Sequence, residues 1–163
     1  SKLDTTWTQE AKLQSSDKAT NDYFGNSVSI SSDGSRVIVG AYRKSSDTGA
    51  AYIFTRSGTT WTQEAKLESS DKATGDFFGY SVSISSDGSR VIVGAYNKNS
   101  YTGAAYIFSR SGTTWTQEAK LQSSDKATYD QFGNSVSISS DGSRVIVGAY
   151  YKNSYTGAAY IYS

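Results

Sequence analysis

An internal repeat constrains this chain more than any other feature. The motif WTQEAKL begins at Trp7, Trp61 and Trp115, so the sequence returns on itself every 54 residues across almost all of its 163. A unit that short cannot bury an apolar face alone and needs neighbours to stack on. Residues 7–60 and 61–114 differ at eight positions, and 61–114 and 115–163 at six. Copies this alike point to recent duplication or to a designer.

Within one period, clusters of Gly, Ser, Asp, Asn and Thr separate four extended segments. FGNSVSIS (24–31) alternates Val28 and Ile30 with Ser27, Ser29 and Ser31, a strand with one small polar face. RVIVGAY (36–42) is apolar on both sides of its Val37-Ile38-Val39 run, as a covered central strand is. GAAYIFTR (49–56) is aromatic and β-branched. WTQEAKL (61–67) sets Trp61, Gln63, Ala65 and Leu67 on one face and Thr62, Glu64 and Lys66 on the other, the charged pattern of an exposed edge. The run QEAKL favours helix locally, but isolated helices shorter than ~12 residues are marginal in water. The spacing therefore predicts an all-β chain of four-stranded antiparallel blades, with the Ser-rich strand innermost and the charged strand at the rim.

Composition narrows the chemistry. The chain has no Cys, His, Met or Pro, which excludes disulfides, His/Cys metal sites and Cys or Ser–His nucleophiles. Sixteen basic residues against fifteen acidic ones leave a formal charge of +1, so neither nucleic acid nor an anionic membrane is an expected partner. No apolar run approaches the roughly 18 to 20 residues of a membrane span. A soluble chain without a signal peptide is expected, and its start at Ser1 rather than Met points to a trimmed or excised piece.

Phe24-Gly25, Phe78-Gly79 and Phe132-Gly133, each followed by Gly-Ala-Tyr at Gly40, Gly94 and Gly148, resemble the FG-GAP repeat of integrin α-subunit propellers and their bacterial relatives. The resemblance implies a β-propeller with blades packed face to face about an axis. Along the chain the strands run outer, then inner-second-third-outer twice, then inner-second-third. Twelve strands make three blades, with the outer strand of the last displaced to residues 7–13. Three blades fall below the 4 to 8 that close a ring, so a symmetric six-bladed homodimer is predicted, residues 7–13 of each chain closing the last blade of its partner. A piece of a longer array that assembles imperfectly, or a nine-bladed ring of three chains, are the alternatives.

In the family resembled, a loop of the form DxDxDGxxD holds calcium. Here SISSDGSRV keeps only Asp33-Gly34, with Ser29 and Ser31 in the earlier ligand places and Arg36 close by, whereas calcium takes six to eight oxygens. No metal or other cofactor is expected; Asp33-Gly34, Asp87-Gly88 and Asp141-Gly142 read as tight turns with positive φ. The pairs Asp17/Asp22, Asp71/Asp76 and Asp125/Asp130 read as loop caps, with an oxygen-ligand ion site as the alternative.

Differences between the copies cluster at Asn21/Gly75/Tyr129, Tyr23/Phe77/Gln131, Asn26/Tyr80/Asn134, Arg43/Asn97/Tyr151, Ser45/Asn99/Asn153 and Asp47/Tyr101/Tyr155. Because strands alternate in direction, the two loops that carry these positions emerge on one face of the ring. Tyr, Asn, Ser and Gly are also the vocabulary of adaptable binding surfaces. The candidate ligand-binding residues are Tyr23, Arg43, Phe77, Tyr80, Asn97, Tyr101, Tyr129, Gln131, Tyr151 and Tyr155, for a glycan or protein ligand; tolerance of loops to drift is the competing explanation. No general base tuned near neutrality is visible, so no enzyme is expected. The function predicted is a scaffold that assembles with itself, and the alternative is a carbohydrate- or protein-recognition module.

Overall fold

The computed structural model describes residues 6–163. Strands β1 (Val28–Ile30), β2 (Arg36–Ala41), β3 (Ala50–Ser57) and β4 (Thr60–Leu67) form one antiparallel sheet in sequence order. Strands β5 (Ser81–Ile84), β6 (Arg90–Ala95), β7 (Ala104–Ser111) and β8 (Thr114–Leu121) repeat it. A third sheet has three strands, β9 (Ser135–Ile138), β10 (Val145–Ala149) and β11 (Ala158–Tyr162). The sheets are three propeller blades that do not close into a ring.

One expectation needs correction. The inner strand is shorter than 24–31, because the chain turns at Phe24–Ser27 and the Gly25 amide bonds the Gly40 carbonyl before the ladder begins. Residues 7–13, whose expected pairing is with the last blade of a partner chain, carry no ladder within this chain, so the described residues hold eleven strands. A strand exists by pairing, and the third strand of an incomplete blade stands at the other end of this fan.

The core lies between blades. Ile38, Ile53 and Leu67 of the first blade pack on Phe78, Val82, Ile84, Tyr106 and Phe108 of the second, and Ile92 and Leu121 of the second meet Phe132, Val145 and Val147 of the third. The inner-strand serines serve the same boundary: Ser27 and Ser29 hydroxyls accept the amides of Val82 and Ile84 at 3.1 and 3.2 Å, and Ser83 accepts that of Ile138 at 3.1 Å. A larger residue on this face would hold the inner strands apart and leave those amides without an acceptor.

Backbones meet most closely at the second-strand glycines. A Cβ on Gly40 would stand 2.0 Å from the Gly79 carbonyl oxygen, and one on Gly94 2.0 Å from that of Gly133. At Gly148 no next blade approaches, and the nearest atom is the Ser135 hydroxyl of its own blade. The outward faces differ in the same way. Val28 is 65% exposed where its counterpart Val82 is 6%, and Ile161 is 70% exposed where Ile53 is fully buried.

Candidate functional site

The segments joining second to third strands, Lys44–Asp47, Lys98–Tyr101 and Lys152–Tyr155, make one helix-like turn of the wrong hand. Ser45, Ser46 and Asp47 have φ of 54°, 57° and 64°, and the other copies repeat this. Each non-glycine residue held left-handed costs ~1–2 kcal/mol. Hydrogen bonds hold the turn: the Asp47 carbonyl accepts the Phe77 amide at 3.0 Å and the Tyr101 carbonyl accepts the Gln131 amide at 2.7 Å. These bonds join the turn of one blade to the connection entering the next, so both variable loops share one face, as predicted. Four of the six variable positions lie in left-handed backbone: 21/75/129, 23/77/131, 45/99/153 and 47/101/155.

Beneath the turns sits a buried cation. Lys44, Lys98 and Lys152 are buried and pair with Asp22, Asp76 and Asp130 at 2.9, 2.7 and 2.8 Å, while donating to the carbonyls of Asp17, Asp71 and Asp125. The second Asp of each pair also caps a loop, accepting the amides of Ala19, Ala73 and Ala127 at 2.6–2.7 Å. The first grips a tyrosine, Tyr52, Tyr106 or Tyr160, at 2.8 Å. The caps are therefore present, and an ammonium group stands beside the carboxylates that an ion site would need. Burial alone would raise the Asp17 carboxyl, but hydrogen bonds from Lys66 and Tyr52 hold it at about 2. Burial and the Asp17 carboxylate together push the Tyr52 phenol up. Sequence reading missed the lysines, although each stands between two variable positions in all three copies.

On the opposite face, the Asp33 carboxylate accepts the Ser35 amide at 2.9 Å and the Ser31 hydroxyl at 2.7 Å, which hold it at about 2. Gly34 has φ of 68°, the expected tight turn. Arg36 turns from it to Glu64, at 3.1 and 2.8 Å.

The predicted ligand residues divide into two groups. Phe77 and Tyr80 are half-buried and pack against Tyr42 and Tyr96, with ring centroids 4.4–5.6 Å apart, so they join blades rather than face a ligand. Tyr23 leans on Tyr42 and carries the Arg43 guanidinium 5.2 Å over its ring. Gln131 is half-buried and contributes its backbone. Arg43 lines an open cleft of about 440 Å³ with Asn21, Ser45 and Asp47. Asn97, Tyr101 and Tyr129 line the same cleft one repeat on, about 490 Å³. In the third repeat the rings of Tyr151 and Tyr155 lie 4.0 Å apart. The shared tyrosines Tyr42, Tyr96 and Tyr150, which tie these loops together, were not singled out, because comparison of copies shows only what differs.

At the first blade, residues 7–13 lie in the place an outer strand takes in a preceding blade. Leu13 packs on the Val39–Tyr52–Phe54 face as Leu67 packs on the second blade. Trp61 Nε1 donates to Glu10 at 2.9 Å as Trp115 Nε1 does to Glu64 at 2.8 Å. Between this arm and the blade, Trp7, Leu13, Ile30, Arg56 and Trp61 line a cavity of about 1120 Å³.

The FG-GAP repeat family matches the chain over residues 7–54, 61–108 and 115–162. Comparison with curated proteins gives no sequence match. Among solved structures, Sqt1 of Saccharomyces cerevisiae is similar at 13% identity and a TM-score of 0.54, over 88% of this chain and 32% of that one. TolB from Acinetobacter baumannii is similar at 14% identity and a TM-score of 0.49, over 84% of this chain and 29% of that one. The chain thus spans under a third of the length of either, and the likeness to Sqt1 is one of fold.

Proposed function

The chain belongs to the FG-GAP repeat family, and from that premise we propose that it is a non-catalytic β-propeller scaffold that completes its ring by pairing with a second copy. One observation carries this reading: the two open faces are the separate halves of an interface that the chain already builds twice. Val28 and Ile30 at one end match Val82 and Ile84, and Ile146 and Ile161 at the other match Ile38 and Ile53. Covering each side chain is worth up to ~1.5–3 kcal/mol, and exposed apolar faces of this kind favour association. The docked arm supports strand exchange, since its place is that of an outer strand whose blade the chain does not supply. Near-identity of the copies supports an origin in design or recent duplication.

Light scattering tests the reading. A mass of about twice 17.6 kDa is expected, and a stable monomer overturns it. Gly148→Ala sharpens the test, because only the Ser135 hydroxyl, which can rotate, meets the new methyl group within one chain. In the ring a partner's backbone would meet it as Gly133 meets Gly94, so this variant is expected to fold as a monomer. A second reading, recognition by the variable face, is favoured by the clustering of six of the eight differences between the first two copies on that face.

A further inference from the structure

Beyond assembly, we infer that the cleft between the second and third blades binds a neutral pyranose ring. Its lining is Gly75, Asn97, Asn99, Ser100, Tyr101 and Tyr129, together with Ala73, Thr74 and Asp76. Tyr101 and Tyr129 stack with centroids 5.7 Å apart and planes 28° from parallel, and both are exposed, Tyr129 by 57%. An exposed aromatic wall suits a ligand with a flat C–H face. Asn97 is anchored by its Nδ2 on the Gly75 carbonyl at 2.5 Å, and its Oδ1 has no hydrogen-bond partner in the described residues. Amide and hydroxyl groups around an aromatic wall complement the rim of hydroxyls on a pyranose.

The same frame one repeat earlier provides an internal contrast. There Arg43 and Asp47 form an ion pair at 3.2 Å, although Arg43 Nε makes no hydrogen bond in the described residues, and Gly75 holds the place in the second repeat that Tyr129 holds in the third. That cleft is charged, self-paired and without an aromatic wall. In the second cleft the only acidic neighbour, Asp76, is already held by Lys98 at 2.7 Å, so a neutral ligand is the better match. The site is also preorganised: Asn99, Ser100, Tyr101 and Tyr129 sit in left-handed backbone pinned by the Gln131–Tyr101 bond. Groups fixed beforehand lose little freedom when a ligand arrives. Both walls come from one chain, so the inference stands or falls independently of ring closure.

Titration with the methyl pyranosides of glucose, galactose, mannose and N-acetylglucosamine, followed through the tyrosine ring resonances, tests it. Saturable shifts of Tyr101 and Tyr129, one site per chain, are expected with at least one of the four, at concentrations on the order of 10 mM. Tyr129→Gly is expected to weaken binding roughly tenfold, the scale of one aromatic contact. Glycine suits the φ of 73° there, and Tyr129→Asn, which copies Asn21 at φ 67°, is a second route to the same loss in a folded chain. Asp47→Asn in the first cleft is expected to leave affinity unchanged. Absence of shifts with all four sugars overturns the inference, as does unchanged affinity in both Tyr129 variants or a loss produced by Asp47→Asn.

Discussion

At the scale of single residues, the buried lysines carry more of the architecture than their type suggests. Lys98 joins the turn after the second strand to the loop that enters the same blade, by way of Asp76 and the Asp71 carbonyl. Removing one partner of a buried pair leaves the other charge uncompensated, a loss of ~3–5 kcal/mol. Lys98→Met is expected to lower stability by about that much in urea denaturation, and the double variant Lys98→Met/Asp76→Asn to recover part of it. Repetition placed these lysines in the sequence, yet a lone Lys reads as solvated until its carboxylate is found 22 residues away. The Asp-Gly turns and Asp caps were legible because their partners lie two or three residues off. Contacts local in sequence can be read from it, and those that cross between elements cannot.

At the scale of elements, strand identity and order followed from the alternation of Val and Ile with Ser, and the blade from its fourfold punctuation. What was not legible is the hand of the turn at Lys44–Asp47. Three consecutive left-handed residues contradict local preference and are kept by bonds to the next blade. Asn tolerates this conformation better than Ser, and the second and third copies carry Asn99 and Asn153 where the first has Ser45. Ser45→Asn is expected to stabilise the chain by about 0.5 kcal/mol, read as a higher denaturant midpoint with an unchanged slope. The candidate site was half legible for the same reason. Variation marked the loops, but Phe77 and Tyr80 could be separated from Tyr101 and Tyr129 only by seeing which rings lie between blades.

Over the whole molecule, carboxylates are spread along both rims. The low values at Asp17, Asp33 and Asp141, about 2 against an ordinary 3.8, fix the acid response. A carboxyl depressed in the folded state stabilises it fully above the unfolded value and loses that contribution as pH falls through the folded one. Unfolding free energy is therefore expected to be flat above pH 4 and to decline between about 4 and about 2, measured by urea denaturation across that range. Asp17→Asn should make the decline shallower. The arm at residues 7–13 has a further kinetic implication. Glu10 and Leu13 already seat it against the first blade, so an incoming edge would meet a template rather than a wandering tail. Encounter would then be limited by diffusion and orientation, and separation, which must unzip a ladder, would be the slow direction.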